Sequence, residues 1–459
     1  MNFANESLNL MTPAQIREYQ EVKLRGQLRY CFNNSDFYRQ KFNAAGVHPN
    51  DIRTIKDFRK LPIFMTKEDE RISQQESIQR HGHPFGMHLC AEPEDIELAS
   101  TTSGTTGLPT FTYSFSKRDI NGPVADLWAA MLKYVNVKPG DRVLFAFTLG
   151  IYATSMILWG IRKINAIPID IDVRGGVDLI LQFAEITRPV CALMTPSFAE
   201  YLIKAAPDSI GKEVSSLGIK SLLLCGEPGA GVLETKKRLE DAFLAKVYDF
   251  WAPGALGFGV SCNSDEYYGL HCYAPDYNLC QDDLINPTSK ENIYVEDGAT
   301  GELVHTSLER DACPMIRYAY GDIVQVFTKE CPACGFKGKR LKFVGRSDDM
   351  LIIKGFNVHP ETIQKIISTF IPKVTGHFKI VLETPPPKVA SPLKIKLEYG
   401  SEVKQRQLID LEMQIKTTLY HRIKTNSDII WVPPDTFDRS LQKSSIFERN
   451  YKKKKAKES

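Results

Sequence analysis

Residues Ser100-Thr-Thr-Ser-Gly-Thr-Thr-Gly-Leu-Pro-Thr110 decide how this chain is read. This run of hydroxyls and glycines follows a short alternating segment, Ile96-Glu-Leu98, and together they predict a strand running into an anion-holding loop. Gly104 and Gly107 permit backbone angles closed to other residues, so successive amide N–H groups can converge on a phosphate, while Thr102, Ser103, Thr105 and Thr106 add hydroxyl donors. The loop lacks the Gly-Lys-Ser/Thr ending of a P-loop and is a different motif. Pro109 stiffens its exit, which separates it from a flexible Ser/Gly linker.

At 459 residues the chain is too long for one hydrophobic core and predicts two or more domains, and 43% hydrophobic residues is enough to fill them. The net charge of +3 is concentrated at one end: residues 451–459 hold five lysines and one glutamate, or +4, which leaves −1 for the rest. A body so close to neutral calls for no nucleic-acid or membrane partner, and the lysine tail reads as a solvated, disordered end. The opening Met1-Asn-Phe-Ala-Asn-Glu-Ser7 has no basic segment followed by an apolar one, so a cytoplasmic protein without a secretory signal is expected. The uncharged stretch from Val143 to Ile161 is interrupted by Thr148, Gly150, Thr154, Ser155 and Gly160, and predicts a buried strand, a tight turn and a buried helix rather than a membrane span.

From about 140 to 325, short apolar runs alternate with helix-length segments: Arg142–Phe147, Ala166–Asp170, Cys191–Met194, Ser221–Cys225 and Lys246–Phe250. That alternation predicts an α/β sheet whose ligand lies at the carboxyl ends of the strands. Several strands leave through Gly/Pro turns, among them Gly226-Glu-Pro228 and Trp251-Ala-Pro-Gly254. Residues 12 to about 90 read as helices with loops. Near the other end, strands are expected at Phe378–Glu383 and Leu393–Tyr399, with a helix from Val403 to about Arg422.

Ten cysteines are scattered along the chain, and only Cys331-Pro-Ala-Cys334 forms a close pair. Two thiolates separated by two residues can bind one face of a tetrahedral ion, and Gly335 relaxes the turn behind them. Two more ligands are needed. The upstream candidates are Cys262 and His271, then Cys272 and Cys280.

The loop at 100–110 resembles the phosphate loop of the adenylate-forming superfamily of acyl-CoA synthetases, and its Pro-Thr ending resembles the phenylacetate-CoA ligase branch. Further stretches carry the same resemblance: Phe32-Asn-Asn-Ser-Asp-Phe-Tyr-Arg39 and Leu61-Pro-Ile-Phe-Met-Thr-Lys-Glu-Asp69 upstream, and Pro314-Met-Ile-Arg-Tyr-Ala-Tyr-Gly-Asp322 downstream. Gly345-Arg-Ser-Asp-Asp349 with Leu351–Pro360 is similar to the superfamily's hinge element, and Arg439-Ser-Leu-Gln-Lys443 to its Arg-Ser-x-Gly-Lys element.

The resemblance implies a large N-terminal α/β AMP-binding domain over 1–347 and a small mobile α+β domain over 348–459, hinged at Asp348. It implies ATP-dependent ligation of an aromatic or aryl-acetic carboxylic acid to coenzyme A through an acyl-adenylate, with Mg2+ bridging phosphate oxygens. It places the ATP phosphates on residues 102–107, adenine at Gly226, Glu227 and Pro228, ribose on Asp322, Arg346 beside the nucleotide, an acyl pocket at Phe147, Tyr152 and Trp251, and the catalytic lysine at Lys443. Pairing the knuckle with Cys262 and His271 gives three cysteines and one histidine, which matches structural Zn2+ sites in some relatives. A homodimer is left open.

One departure stands out. The family's Tyr-Gly-x-Ser/Thr-Glu run supplies a magnesium-binding glutamate, where this chain reads Phe250-Trp-Ala-Pro-Gly254. Asp249 substitutes, metal binding is weak, or the chain is a degenerate non-catalytic homologue. A further alternative keeps adenylation and passes the acyl group to a carrier protein or an amine.

Overall fold

The computed structural model describes residues 3–101, 109–149, 154–227, 229–252, 259–437 and 446–451. Its centre is a thirteen-stranded sheet. Five parallel strands, Ile167–Asp170, Arg142–Phe145, Cys191–Met194, Ser221–Leu224 and Lys246–Trp251, lie side by side in that order. Helices Ile157–Lys163, Val177–Thr187, Pro196–Ile210 and Leu233–Phe243 connect them, as parallel strands require. The inner strands Cys191–Met194 and Ser221–Leu224 are buried along their whole length because both faces of the sheet are covered there, whereas the edge strand Ile167–Asp170 is partly exposed. Along Cys191-Ala-Leu-Met194, for example, Cys191 and Leu193 enter one core cluster and Ala192 and Met194 the opposite one.

At Lys246–Trp251 the pairing changes hand, since Gly259–Ser261 runs antiparallel to it. The sheet continues through Leu270–His271, Arg340–Arg346, Tyr318–Phe327, Thr300–His305, Leu284–Ile285 and Asn292–Ile293. The predicted strands are all present, most within a residue or two of their expected ends, while the one expected from Phe378 begins four residues earlier, at Val374. The uncharged stretch after Arg142 resolves into a strand to Phe145 and the helix Ile157–Lys163, and no helix among the described residues is long and apolar enough to cross a membrane.

The N-terminal helices Pro13–Asn34, Asp36–Ala44 and Lys67–His81 pack over the antiparallel part of this sheet. Between the two, strand Met65–Thr66 pairs in parallel with Tyr318 and Ala319. The strand Ile96–Ser100 predicted ahead of the loop forms a separate hairpin with Tyr113–Ser116, with Ser100 opposite Tyr113.

The C-terminal part is a separate α+β unit with its own core. Strands Ser427–Val432, Leu393–Tyr399, Val374–Leu382 and Phe447–Arg449 form a sheet in that order, flanked by helices Pro360–Ser368 and Leu408–Ile423. The helix expected from Val403 starts later, at Leu408, after a short 3-10 turn at Gln405–Gln407. A tight hairpin, Leu351–Ile353 with Phe356–Val358, leads into this unit.

Candidate active site

The antiparallel pairing of Tyr318–Phe327 with Arg340–Arg346 sets Asp322 directly across from Arg346. Arg346 Nη1 donates to Asp322 Oδ1 at 2.8 Å, and Nε and Nη2 donate to Asp348 Oδ1 and Oδ2 at 2.7 and 2.9 Å. Nη2 also donates to the Tyr320 carbonyl at 3.2 Å. The guanidinium therefore joins a buried carboxylate of the large sheet to one in the turn that leaves it. Gly321 makes this approach possible: its φ is +94°, and a Cβ there would lie 3.1 Å from Arg346 Nη2 and 3.2 Å from Ser347 Oγ.

Lys67, at the start of helix Lys67–His81, faces the same cluster. Its ammonium lies 4.6 Å from the centroid of the Tyr320 ring and has no ion-pair partner among the described residues. Burial and the facing Arg346 guanidinium push its pKa down. Further along the helix, Glu70 is buried and accepts the Tyr318 hydroxyl at 2.8 Å. These helix residues were not singled out by the sequence. The only signal was the Leu61–Asp69 resemblance, which covers Lys67 without giving it a role.

Asp249 stands near the end of the last parallel strand and accepts the Tyr267 hydroxyl at 2.6 Å. Burial pushes its carboxyl up to about 7, and Lys365, on helix Pro360–Ser368, is the cation opposing that shift. The same helix closes on the sheet near its end. A Cβ at Gly345 would come within 2.7 Å of Glu361 Oε2 and 2.8 Å of His359 Nδ1.

The expected adenine segment begins at Gly226, whose φ is +91°, and packs beside Thr195. Glu227 Oε1 accepts the Ser197 N–H at 2.6 Å, at the first turn of helix Pro196–Ile210, where a carboxylate suits the helix dipole. Phe147 is buried against Phe145, with ring centroids 5.6 Å apart. Trp251 projects elsewhere. Strand alternation sends Tyr248 and Phe250 into the Phe147 cluster, while Trp251 packs on Phe343 at 5.7 Å in a different one. Thr102, Ser103, Gly104, Thr105, Thr106, Gly107, Tyr152, Pro228, Gly254 and Lys443 lie outside the described residues.

A second constellation is complete. Cys262, His271, Cys331 and Cys334 present ligand atoms all within 4.8 Å of one another. The sheet assembles them: Cys262 follows Gly259–Ser261, which pairs with Leu270–His271, and His271 in turn lies across from Arg340, just beyond the knuckle. Gly335 N–H donates to the Cys331 carbonyl at 3.0 Å with φ +71°, which closes the knuckle turn. Cys334 Sγ lies 3.2 Å from His271 Nε2. Burial holds the His271 imidazole neutral, with its pKa down to about 4. Burial and the neighbouring Cys334 and Cys331 push the Cys262 thiol up, a penalty that a bound dication removes. This donor set fits a closed tetrahedral ion. Cys272 and Cys280, the other upstream candidates, pack instead among Leu284, Leu303 and Val324.

Comparison with known proteins adds to this geometry. A family model described as "AMP-binding enzyme C-terminal domain" matches residues 355–448. A phenylacetate-coenzyme A ligase of Thermus thermophilus is 27% identical over 454 residues, covering 94% of this chain and 96% of that protein. A crystal structure of 2-hydroxyisobutyryl-CoA ligase in the postadenylation state, in complex with 2-HIB-AMP, superposes with a TM-score of 0.84 at 25% identity, covering 97% of this chain and 93% of that one. The same ligase with 2-HIB-AMP and CoA in its thioesterification state gives 0.67 at 26% identity, covering 98% and 94%. The two scores differ although identity and coverage are nearly equal. The shared sheet, the hinge cluster and the full-length similarity converge on one likeness: over nearly its whole length the chain is similar to phenylacetate-CoA ligases.

Proposed function

We propose that the protein is an ATP-dependent, AMP-forming acid–CoA ligase acting on a small carboxylic acid, with aromatic acids the first class to test. A carboxylate attacks the α-phosphate of ATP, forming the acyl–AMP anhydride and breaking the bond to pyrophosphate. The CoA thiol then attacks the acyl carbon, loses its proton and releases AMP. The observation that carries this reading is the Asp322–Arg346–Asp348 bridge where the large sheet gives way to the C-terminal unit, in a chain whose fold follows an acid–CoA ligase over 97% of its length.

In the first half-reaction a carboxylate is already a nucleophile, so the site must chiefly neutralise accumulating negative charge. Residues 102–107 hold the β- and γ-phosphates, Asp322 accepts the ribose hydroxyls, and Gly226, Glu227 and Pro228 border the adenine. Lys67 supplies a fixed cation, and Lys443 a mobile one between the acyl carboxylate and the α-phosphate. Magnesium, when bound, adds neutralising charge on the phosphate oxygens. Asp249 is the acid nearest in sequence to the position of the missing family glutamate, and it accepts the Tyr267 hydroxyl. Phe147 and Tyr152 line the acyl pocket. Trp251 packs against Phe343 at a tilt and leaves that pocket less crowded than its size suggests.

The small domain turns about Asp348 between the two half-reactions, withdrawing Lys443 and admitting the thiol. Cys262, His271, Cys331 and Cys334 hold a structural Zn2+ that ties the knuckle to the sheet. A cytoplasmic location suits the ten free thiols.

The test is pyrophosphate release from ATP and magnesium with a panel spanning phenylacetate, benzoates and small branched hydroxy acids. Release with one class, followed by AMP formation that depends on CoA, is the expected result. Release without CoA-dependent AMP formation means transfer to a carrier protein or an amine, and no release with any acid means a degenerate homologue.

A further inference from the structure

Helix Lys67–His81 begins at a fixed point. Thr66 accepts the Asp69 N–H at 3.3 Å, Asp69 accepts the Thr66 N–H at 2.9 Å, and the preceding strand is paired to Tyr318 and Ala319. From that anchor the helix presents Glu70 and Gln74, one turn apart, to the segment Pro109–Thr112, where the Ser/Thr/Gly loop ends. Gln74 Nε2 donates to the Pro109 carbonyl at 3.0 Å, and its Oε1 accepts the Phe111 N–H at 2.9 Å. One side-chain amide thus pairs with two alternate backbone groups, as a neighbouring strand would. The buried Glu70 carboxylate takes the hydroxyls of Thr110 and Thr112 as well as that of Tyr318, and the two threonine oxygens are 2.9 Å apart. From the other side, Arg310 Nη2 donates to the carbonyls of Thr112 and Ser114, both at 3.1 Å.

We propose that Gln74 and Glu70 are positioning residues that hold the exit of this loop in register for the β- and γ-phosphates of ATP, an inference that rests on the ligase reading above. Two bonds from one side chain fix the backbone at Pro109 and Phe111, where the chain leaves the phosphate-binding run, and a contact point fixed in advance costs less to use in binding. Gln74 is partly exposed, so its two bonds are not needed to satisfy a buried group. Their consequence is alignment.

The experiment compares ATP and AMP binding, by calorimetry, to the full chain and to Gln74→Met, Gln74→Glu and Glu70→Gln. Gln74→Met keeps the length of the side chain and deletes both bonds. AMP lacks the phosphates the loop serves. Gln74→Met is expected to weaken ATP about tenfold, the effect of two neutral hydrogen bonds, and to leave AMP unchanged. Gln74→Glu, which can still accept from Phe111, should fall between, and the Phe111 amide should exchange faster in Gln74→Met than in the parent. ATP and AMP weakening together, or neither moving, overturns the inference. A parent that binds ATP but releases no pyrophosphate with any acid refutes the ligase reading alone, whereas a parent that does not bind ATP refutes both.

Discussion

Arg346 and Asp322 face each other across two antiparallel strands, 2.8 Å apart, while the rest of the same guanidinium grips Asp348. The carboxylate read as the ribose contact and the carboxylate read as the hinge therefore share one cation. Asp322→Asn should raise the KM for ATP by roughly 10- to 100-fold, the range for losing a charge-assisted hydrogen bond. Arg346→Met should cost at least as much. Because the residues act through one network, the double variant should fall well short of the product of the single effects in pyrophosphate-release kinetics. Multiplicative losses would show that the bridge is incidental.

Gly345 lies where the small domain closes. A methyl group there would sit within 2.8 Å of both Glu361 Oε2 and His359 Nδ1, closer than real Cβ contacts allow. Gly345→Ala should therefore disfavour this arrangement of the domains, slowing adenylation about tenfold or more at roughly 1.4 kcal/mol of strain, while sparing the CoA-dependent step from supplied acyl-adenylate. Equal slowing of both steps would count against a conformation-specific contact.

Cys331→Ser removes one of the four donors around His271. Elemental analysis should find about one zinc per chain in the parent and little in the variant, with a lower melting temperature for the variant. A metal-free parent would refute the assignment.

Asp249 predicts a pH dependence of stability. Its folded pKa is raised to about 7, above the roughly 3.9 of an unfolded aspartate. The native state therefore holds a proton that the unfolded chain has lost between those values, and stability should decline as pH rises from about 4 to about 7, then level off. The groups facing it are Tyr267 and Lys365. Asp249→Asn should flatten that decline when denaturation midpoints are compared across the range. Parallel curves for the two proteins would refute the assignment.

The parallel strands were legible because each is a short apolar run between helix-length segments, and the small domain because its strands and helices follow the same periodicities. The metal cluster was half legible. Cys331 and Cys334 are close in sequence, but selecting Cys262 and His271 over Cys272 and Cys280 depends on strand register, which one-dimensional spacing does not contain. Trp251 illustrates the same limit, since its neighbours follow from which face of the strand it occupies. Helix Lys67–His81 was the least legible. Its inward face carries Glu70, Ser73 and Ser77, all buried, so it has no apolar stripe to betray which side meets the protein.

The contact between Glu70 and Tyr318 spans 248 positions of chain. Its consequence concerns the order in which the molecule forms. Emerging from the ribosome, the N-terminal helices wait for more than two-thirds of the 459 residues before the strand that seats them, Tyr318–Phe327, exists, and such distant pairings form late. The parallel core between residues 142 and 251 has no such dependence, because each of its strands pairs with another in the same stretch. A nascent chain should thus acquire a folded central sheet well before it can grip a nucleotide.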